Sequence, residues 1–170
     1  MLEFLSTLTK YLEDLCDANE RLLSTLRKYQ SLLVSGESST IEKATPQVDR
    51  ITSEIRRLDE NRRIYVDDFF RSREWDGPRN FTAITSRVME SGVNDEEAAM
   101  FERAQKSREK LIELLIEVDA QNSLNITLVG QGLSFAEISL RALLGANDKP
   151  VTYGPKGESD EGPSFLDAQA

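Results

Sequence analysis

The sequence predicts an all-α protein: a long antiparallel helical hairpin and a long C-terminal helix forming a coiled-coil-like bundle, with a flexible C-terminal tail. Three observations predict it. Apolar residues recur in alternating steps of three and four over three long segments. The five prolines and nine glycines gather in a few clusters, leaving long stretches free to be helical. The last 25 residues change composition abruptly, so the chain divides into a helical domain at 1–145 and a disordered acidic tail at 146–170.

The first helix is predicted from Leu2 to Val34. Leu5, Leu8, Leu12, Leu15, Leu22, Leu26, Tyr29 and Leu33 form its seam, and Asn19 fills one slot. Phe4, Tyr11, Ala18 and Leu32 add a flanking stripe, so this helix should touch more than one neighbour. Gly36 supplies the stop, because glycine closes a helix without Cβ strain.

Ser39 followed by Glu42 reads as a capping box opening the second helix. Its seam runs Ile41, Ala44, Val48, Ile51, Ile55, Leu58, Arg62, Tyr65 and Phe69. Pro46 lies inside that pattern and lacks a backbone donor, which predicts a kink or a restart with Thr45 as cap. Arg56, Arg57, Arg62 and Arg63 are interleaved with Glu54, Asp59 and Glu60, the pattern of a solvated helix face laced with ion pairs. The short connection makes the first two helices an antiparallel hairpin.

"SREWDGPRN" breaks the pattern at 72–80, and Trp75 should cover one end of the core there. A short helix is predicted from Phe81 to Glu90, stopped at Gly92. Asn94 with Glu97 three residues on, and acids filling the first turn, then starts the last helix. It is expected to reach about Leu144. Its first half turns Phe101, Ala104, Leu111, Leu115 and Val118 inward.

The second half of that helix is apolar on two stripes. One runs Asn122, Ile126, Val129, Leu133, Ala136, Leu140 and Leu143; the other runs Leu124, Leu128, Phe135, Ile138 and Ala142. No residue between Asp119 and Glu137 is charged. Such a helix must be buried on both faces or keep a face for a partner. Full burial in a bundle or homodimer and a groove-filling partner surface both satisfy the pattern. Gly130 and Gly132 cost roughly 1 kcal/mol each in a helix, which suits a close approach or a bend. Asn122 and Asn125 are either hydrogen-bonded in a seam or exposed on its polar edge.

In the tail, ordering 25 residues costs roughly 25–50 kcal/mol of backbone entropy, while burying Val151, Tyr153, Phe165 and Leu166 returns about 10 kcal/mol. Disorder is expected, and an aromatic kept there suggests that another molecule reads it.

Composition excludes several functions. The net charge of −9 leaves no basic stripe for nucleic acid and disfavours anionic lipid. Cys16 is alone, so no internal disulfide forms. No histidine is present, which removes His-based acid–base catalysis and most zinc sites. There is no phosphate loop or nucleophile elbow, and no cofactor is expected. The first residues resemble no signal peptide, and the longest uncharged run, Ala120 to Ala136, is too short and polar to cross a membrane. A cytoplasmic protein without enzymatic activity or membrane insertion is the expectation.

The order "LLVSGE", a second helix, "AQNSLNITLVGQGLSFAEISLRALLG" and then "TYGPKG" resembles the FlgN family of flagellar export chaperones. In that family a helix with asparagines and a "Q-S-L-x-F"-like segment precedes a tail with "T-Y-x-x-x-G". The counterparts here are Asn122 and Asn125, then Gln131, Leu133, Ser134 and Phe135, then Thr152, Tyr153 and Gly157. Gly132, between Gln131 and Leu133, departs from that pattern. The resemblance implies a type III export chaperone for the hook–filament junction proteins, handing them to the cytoplasmic domain of the flagellar export gate. It implies a cargo surface of Asn122, Asn125, Leu128, Val129, Gln131, Leu133, Phe135, Ile138 and Ala142, and a gate contact at Tyr153. A structural coiled-coil scaffold, or a type III chaperone for a different cargo, remains the alternative.

Overall fold

In the computed structural model the chain is described at residues 1–36 and 38–143, without the side chains of 38–43 and 143. The capping box at Ser39 and Glu42, Ile41 of the second seam, Leu143 of the first stripe, the tail and Tyr153 lie outside the described side chains. The described residues form helices α1 (Leu2–Ser35), α2 (Ser38–Ser72), α3 (Phe81–Glu90) and α4 (Asp95–Leu143), with no strand among them. By its contacts the chain divides into two units, Met1–Asn125 and the part beginning at Ile126.

In the first unit α1 is the central rod. Leu5, Leu8, Leu12, Leu15, Leu22 and Leu26 of the predicted seam are buried, and so are Phe4, Cys16, Ala18 and Leu23 beside it. The burial is wider than a two-stranded seam because α1 is covered by both α2 and α4. Three polar residues go in with it. Thr9, Asn19 and Thr25 each donate to the carbonyl four residues back, on Leu5, Leu15 and Arg21, at 2.7, 2.8 and 2.8 Å. No interhelical partner is then needed to keep them in a dry interior. Gly36 ends α1 with φ 72°, its backbone amide on the Leu32 carbonyl at 3.1 Å.

Helix α2 returns antiparallel to α1. Ile51 packs on Leu22 and Leu26 at one end, while Phe69 stacks on Phe4 at the other with ring centroids 3.7 Å apart. The helix is continuous through Pro46, so Thr45 stands inside it and does not cap a restart. Part of the predicted ion-pair face is present: Asp59 holds Arg62 and Arg63 at 2.7 and 2.8 Å, while Glu54 pairs instead with Arg21 of α1 at 2.7 Å. Further along, Asp67 holds Arg71 and Arg79. Tyr65 and Phe69 are half-buried, whereas Val66 and Phe70, one residue on from each, are 1% exposed. The fully buried line at this end of α2 is therefore rotated from the predicted seam, because α3 supplies a second surface against it.

Trp75 sets its ring edge-on to Phe69 and Phe70, both at 5.5 Å, and closes that end of the core. Helix α3 is capped by the Asn80 side chain, which accepts from the Ala83 amide at 2.8 Å. Its Ile84 and Val88 complete the cluster with Phe4, Leu5, Leu8, Val66, Phe70, Phe101 and Ala104. Asn94 and Glu97 then form a reciprocal capping box at the start of α4, at 2.9 and 3.3 Å.

The first part of α4 runs parallel to α1. Glu13 meets Arg103, Cys16 meets the Ser107 carbonyl, Glu20 meets Lys110, Arg27 meets Glu117 and Gln30 meets Gln121, so both sequence numbers rise together. The exposed ion pairs in this ladder stabilise little individually. They do hold one register, an offset of 90 or 91 positions. Leu114 is the buried leucine on this stretch of α4 and Leu115 is 48% exposed, which reverses the sequence expectation. One residue is about 100° of helix rotation, and α1 decides which of two adjacent leucines it covers.

Candidate functional site

The two asparagines separate. Asn125 is 3% exposed: its Nδ2 donates to the Leu26 carbonyl at 3.0 Å, and its Oδ1 accepts from Gln121 at 3.3 Å. Gln121 also donates to Gln30 at 2.9 Å. Together these amides make a small polar cluster joining α4 to the last turns of α1. Asn122, three residues earlier, is exposed. Asn125 therefore offers a partner almost no surface, and its amide is used inside the first unit. Sequence reasoning placed both amides at the site because it could not see that one of them faces α1. Gln30, opposite Gln121, carried no signal of its own.

The second unit is described over the helical residues 126–143. Ile126, Leu133, Phe135, Ile138 and Leu140 are 64, 67, 73, 67 and 56% exposed. Val129 is also exposed and Leu128 is half-buried; Gln131 and Ala142 are exposed. Leu128, Phe135 and Ala142 recur every seven residues, so they line one edge of this helix, with Ile138 beside them. Val129, Leu133 and Leu140 line the other edge. Both predicted stripes are thus present, and neither is buried within its unit. Among the described residues, the helix's own backbone aside, nothing lies within 4 Å of where a Cβ would stand at Gly130 or Gly132, and the helix is unbroken through both. In this state no close approach requires either glycine.

Electrostatics on this segment are simple. Its charged residues are Glu137 and Arg141, paired one turn apart at 2.8 Å. A surface of this kind can bind through apolar contact and shape. Among the described residues no cluster of side chains suits a metal ion, and no helix is long and apolar enough to cross a membrane.

The family model described as FlgN protein matches residues 1–161, which spans all four helices. The chain belongs to the FlgN family. Comparison with curated proteins and with solved structures finds no match. FlgN proteins are chaperones of flagellar assembly and export, so this chain is a flagellar export chaperone in the general sense, from a chaperone family and not an enzyme family.

Proposed function

We propose that this FlgN protein is a cytoplasmic chaperone that binds the C-terminal region of hook–filament junction proteins along residues 126–143. It would keep that region unassembled and deliver it to the flagellar export gate. The observation that carries the reading is the exposure of Leu133, Phe135 and Ile138 on a helix segment with no charge before Glu137. Large apolar side chains held in water are costly unless a partner covers them, at about 25 cal/mol per Å². Leu128, Val129, Leu133, Phe135, Ile138 and Ala142 supply the contact, Gln131 and Asn122 its polar margin, and Asn125 the hold on α1 that anchors it. Tyr153, in the tail, is proposed as the contact for the cytoplasmic domain of the gate.

Calorimetric titration with the C-terminal segment of a hook–filament junction protein tests this. Micromolar or tighter binding is expected, weakened at least about tenfold by Phe135→Asp with helicity retained. No heat with any such segment would move the reading to a structural scaffold. Binding only to segments of other exported proteins would move it to a chaperone of different cargo. Tyr153→Ala should leave cargo affinity unchanged and lose the gate.

A further inference from the structure

A second exposed apolar patch lies wholly within the first unit, on the face of α4 turned away from α1. Ile112, Leu115 and Ile116 are 40, 48 and 65% exposed there, three side chains on adjacent turns of one helix. Arg108 stands one turn before Ile112, and Asp119 stands one turn after Leu115. The other cations of α4 are all in ion pairs: Arg103 with Glu13, Lys106 with Glu102, Lys110 with Glu20 and Arg141 with Glu137. Arg108 has no carboxylate among the described residues, and its guanidinium lies over the Phe81 ring at 5.2 Å. Asp119 likewise has no cation among them.

At about 100° per residue, Arg108, Ile112, Leu115 and Asp119 fall on one line of the helix surface, in the order positive, apolar, apolar, negative. Such a line is complementary to itself when reversed. We propose that this face pairs with the same face of a second copy of the chain, α4 against α4 and antiparallel, about a dyad between positions 113 and 114. Ile112 of each copy then meets Leu115 of the other, and each Arg108 meets the other's Asp119, as an isologous contact requires. An oblique helix crossing, about −50°, carries the helices apart beyond positions 108 and 119. The patch is small beside the roughly 800 Å² per partner of a standard interface, so the dimer is weak and concentration-dependent.

Sedimentation equilibrium of the full chain tests the pairing. The average mass should rise from 19.2 kDa toward twice that between about 10 µM and about 500 µM. Arg108→Asp or Asp119→Arg alone puts two like-charge contacts into each dimer and should raise Kd about tenfold. The double variant R108D/D119R restores both contacts in reversed sense, with Kd returning to within about threefold of wild type. Circular dichroism checks that each variant keeps its helices. A mass fixed at 19.2 kDa across the range overturns the proposal, as does a double variant no better than the single ones. A Leu115→Asp variant that dimerises like wild type but binds the cargo segment more weakly would assign the patch to cargo and also overturn it.

Discussion

The side-chain amide of Asn125 donates to the backbone carbonyl of Leu26 at 3.0 Å, a bond that joins α4 to α1 across 99 positions of sequence. It lies at the last residue of the first unit and is buried, so water cannot replace it there. Asn125→Ala should therefore cost about 1–3 kcal/mol, while Asn122→Ala, at an exposed position, should stay within about 0.5 kcal/mol. Thermal denaturation reads the difference at roughly 2–4 °C per kcal/mol for a chain of this size. Equal shifts for the two variants would mean that the Leu26 contact does not hold the helix.

Leu114 and Leu115 give a test of helix register. Truncating buried Leu114 to Ala should destabilise the bundle by about 2–4 kcal/mol, and truncating exposed Leu115 should leave it within about 0.5 kcal/mol. Urea unfolding distinguishes these outcomes. The reverse order would place α4 about 100° from its position here.

Phe70, 1% exposed and under the edge of Trp75, is expected to be among the most costly positions in the chain. Phe70→Ala removes a ring from the cluster that joins α1, α2, α3 and α4, and should cost about 3–5 kcal/mol. Tryptophan fluorescence would shift with it, because Trp75 loses one of its two edge-on neighbours.

Gly132→Ala should stabilise the helix at 126–143 by about 1 kcal/mol, since among the described residues a methyl group meets nothing within 4 Å there beyond the helix's own backbone. Amide exchange at the neighbouring residues is expected to slow about fivefold. Unchanged exchange would mean that this stretch does not populate helix in the free protein.

Burial raises the pKa of the Cys16 thiol above its ordinary value, against the smaller opposing effect of the Lys110 charge. The folded thiol holds its proton at pH values where the unfolded one has lost it. Stability should accordingly fall as pH rises from the ordinary thiol value toward the raised one, and Cys16→Ser should remove that part of the pH dependence. At neutral pH a thiol reagent should modify the native protein only as fast as the bundle opens.

Periodicity and capping residues in the sequence determined the helices themselves. The stop at Gly36, the caps at Asn94 and Glu97, the turn at Trp75 and the span Phe81–Glu90 are local features, each set by backbone conformations a few residues apart. The uncharged, two-striped stretch before Glu137 was equally legible, because the absence of charge needs no partner to be seen. Only tertiary structure decided that α4 runs parallel to α1, that Leu114 and not Leu115 is covered, that Val66 and Phe70 are buried beside α3, and that Asn125 is used internally while Asn122 is not. The physical reason is rotation. Neighbouring residues on a helix differ by about 100°, so a helix that is apolar over a wide arc has several near-equivalent ways to face its partners. The choice among them rests on side chains about 90 positions away, at Glu13, Glu20, Arg27 and Gln30, which the pattern within any one helix does not contain.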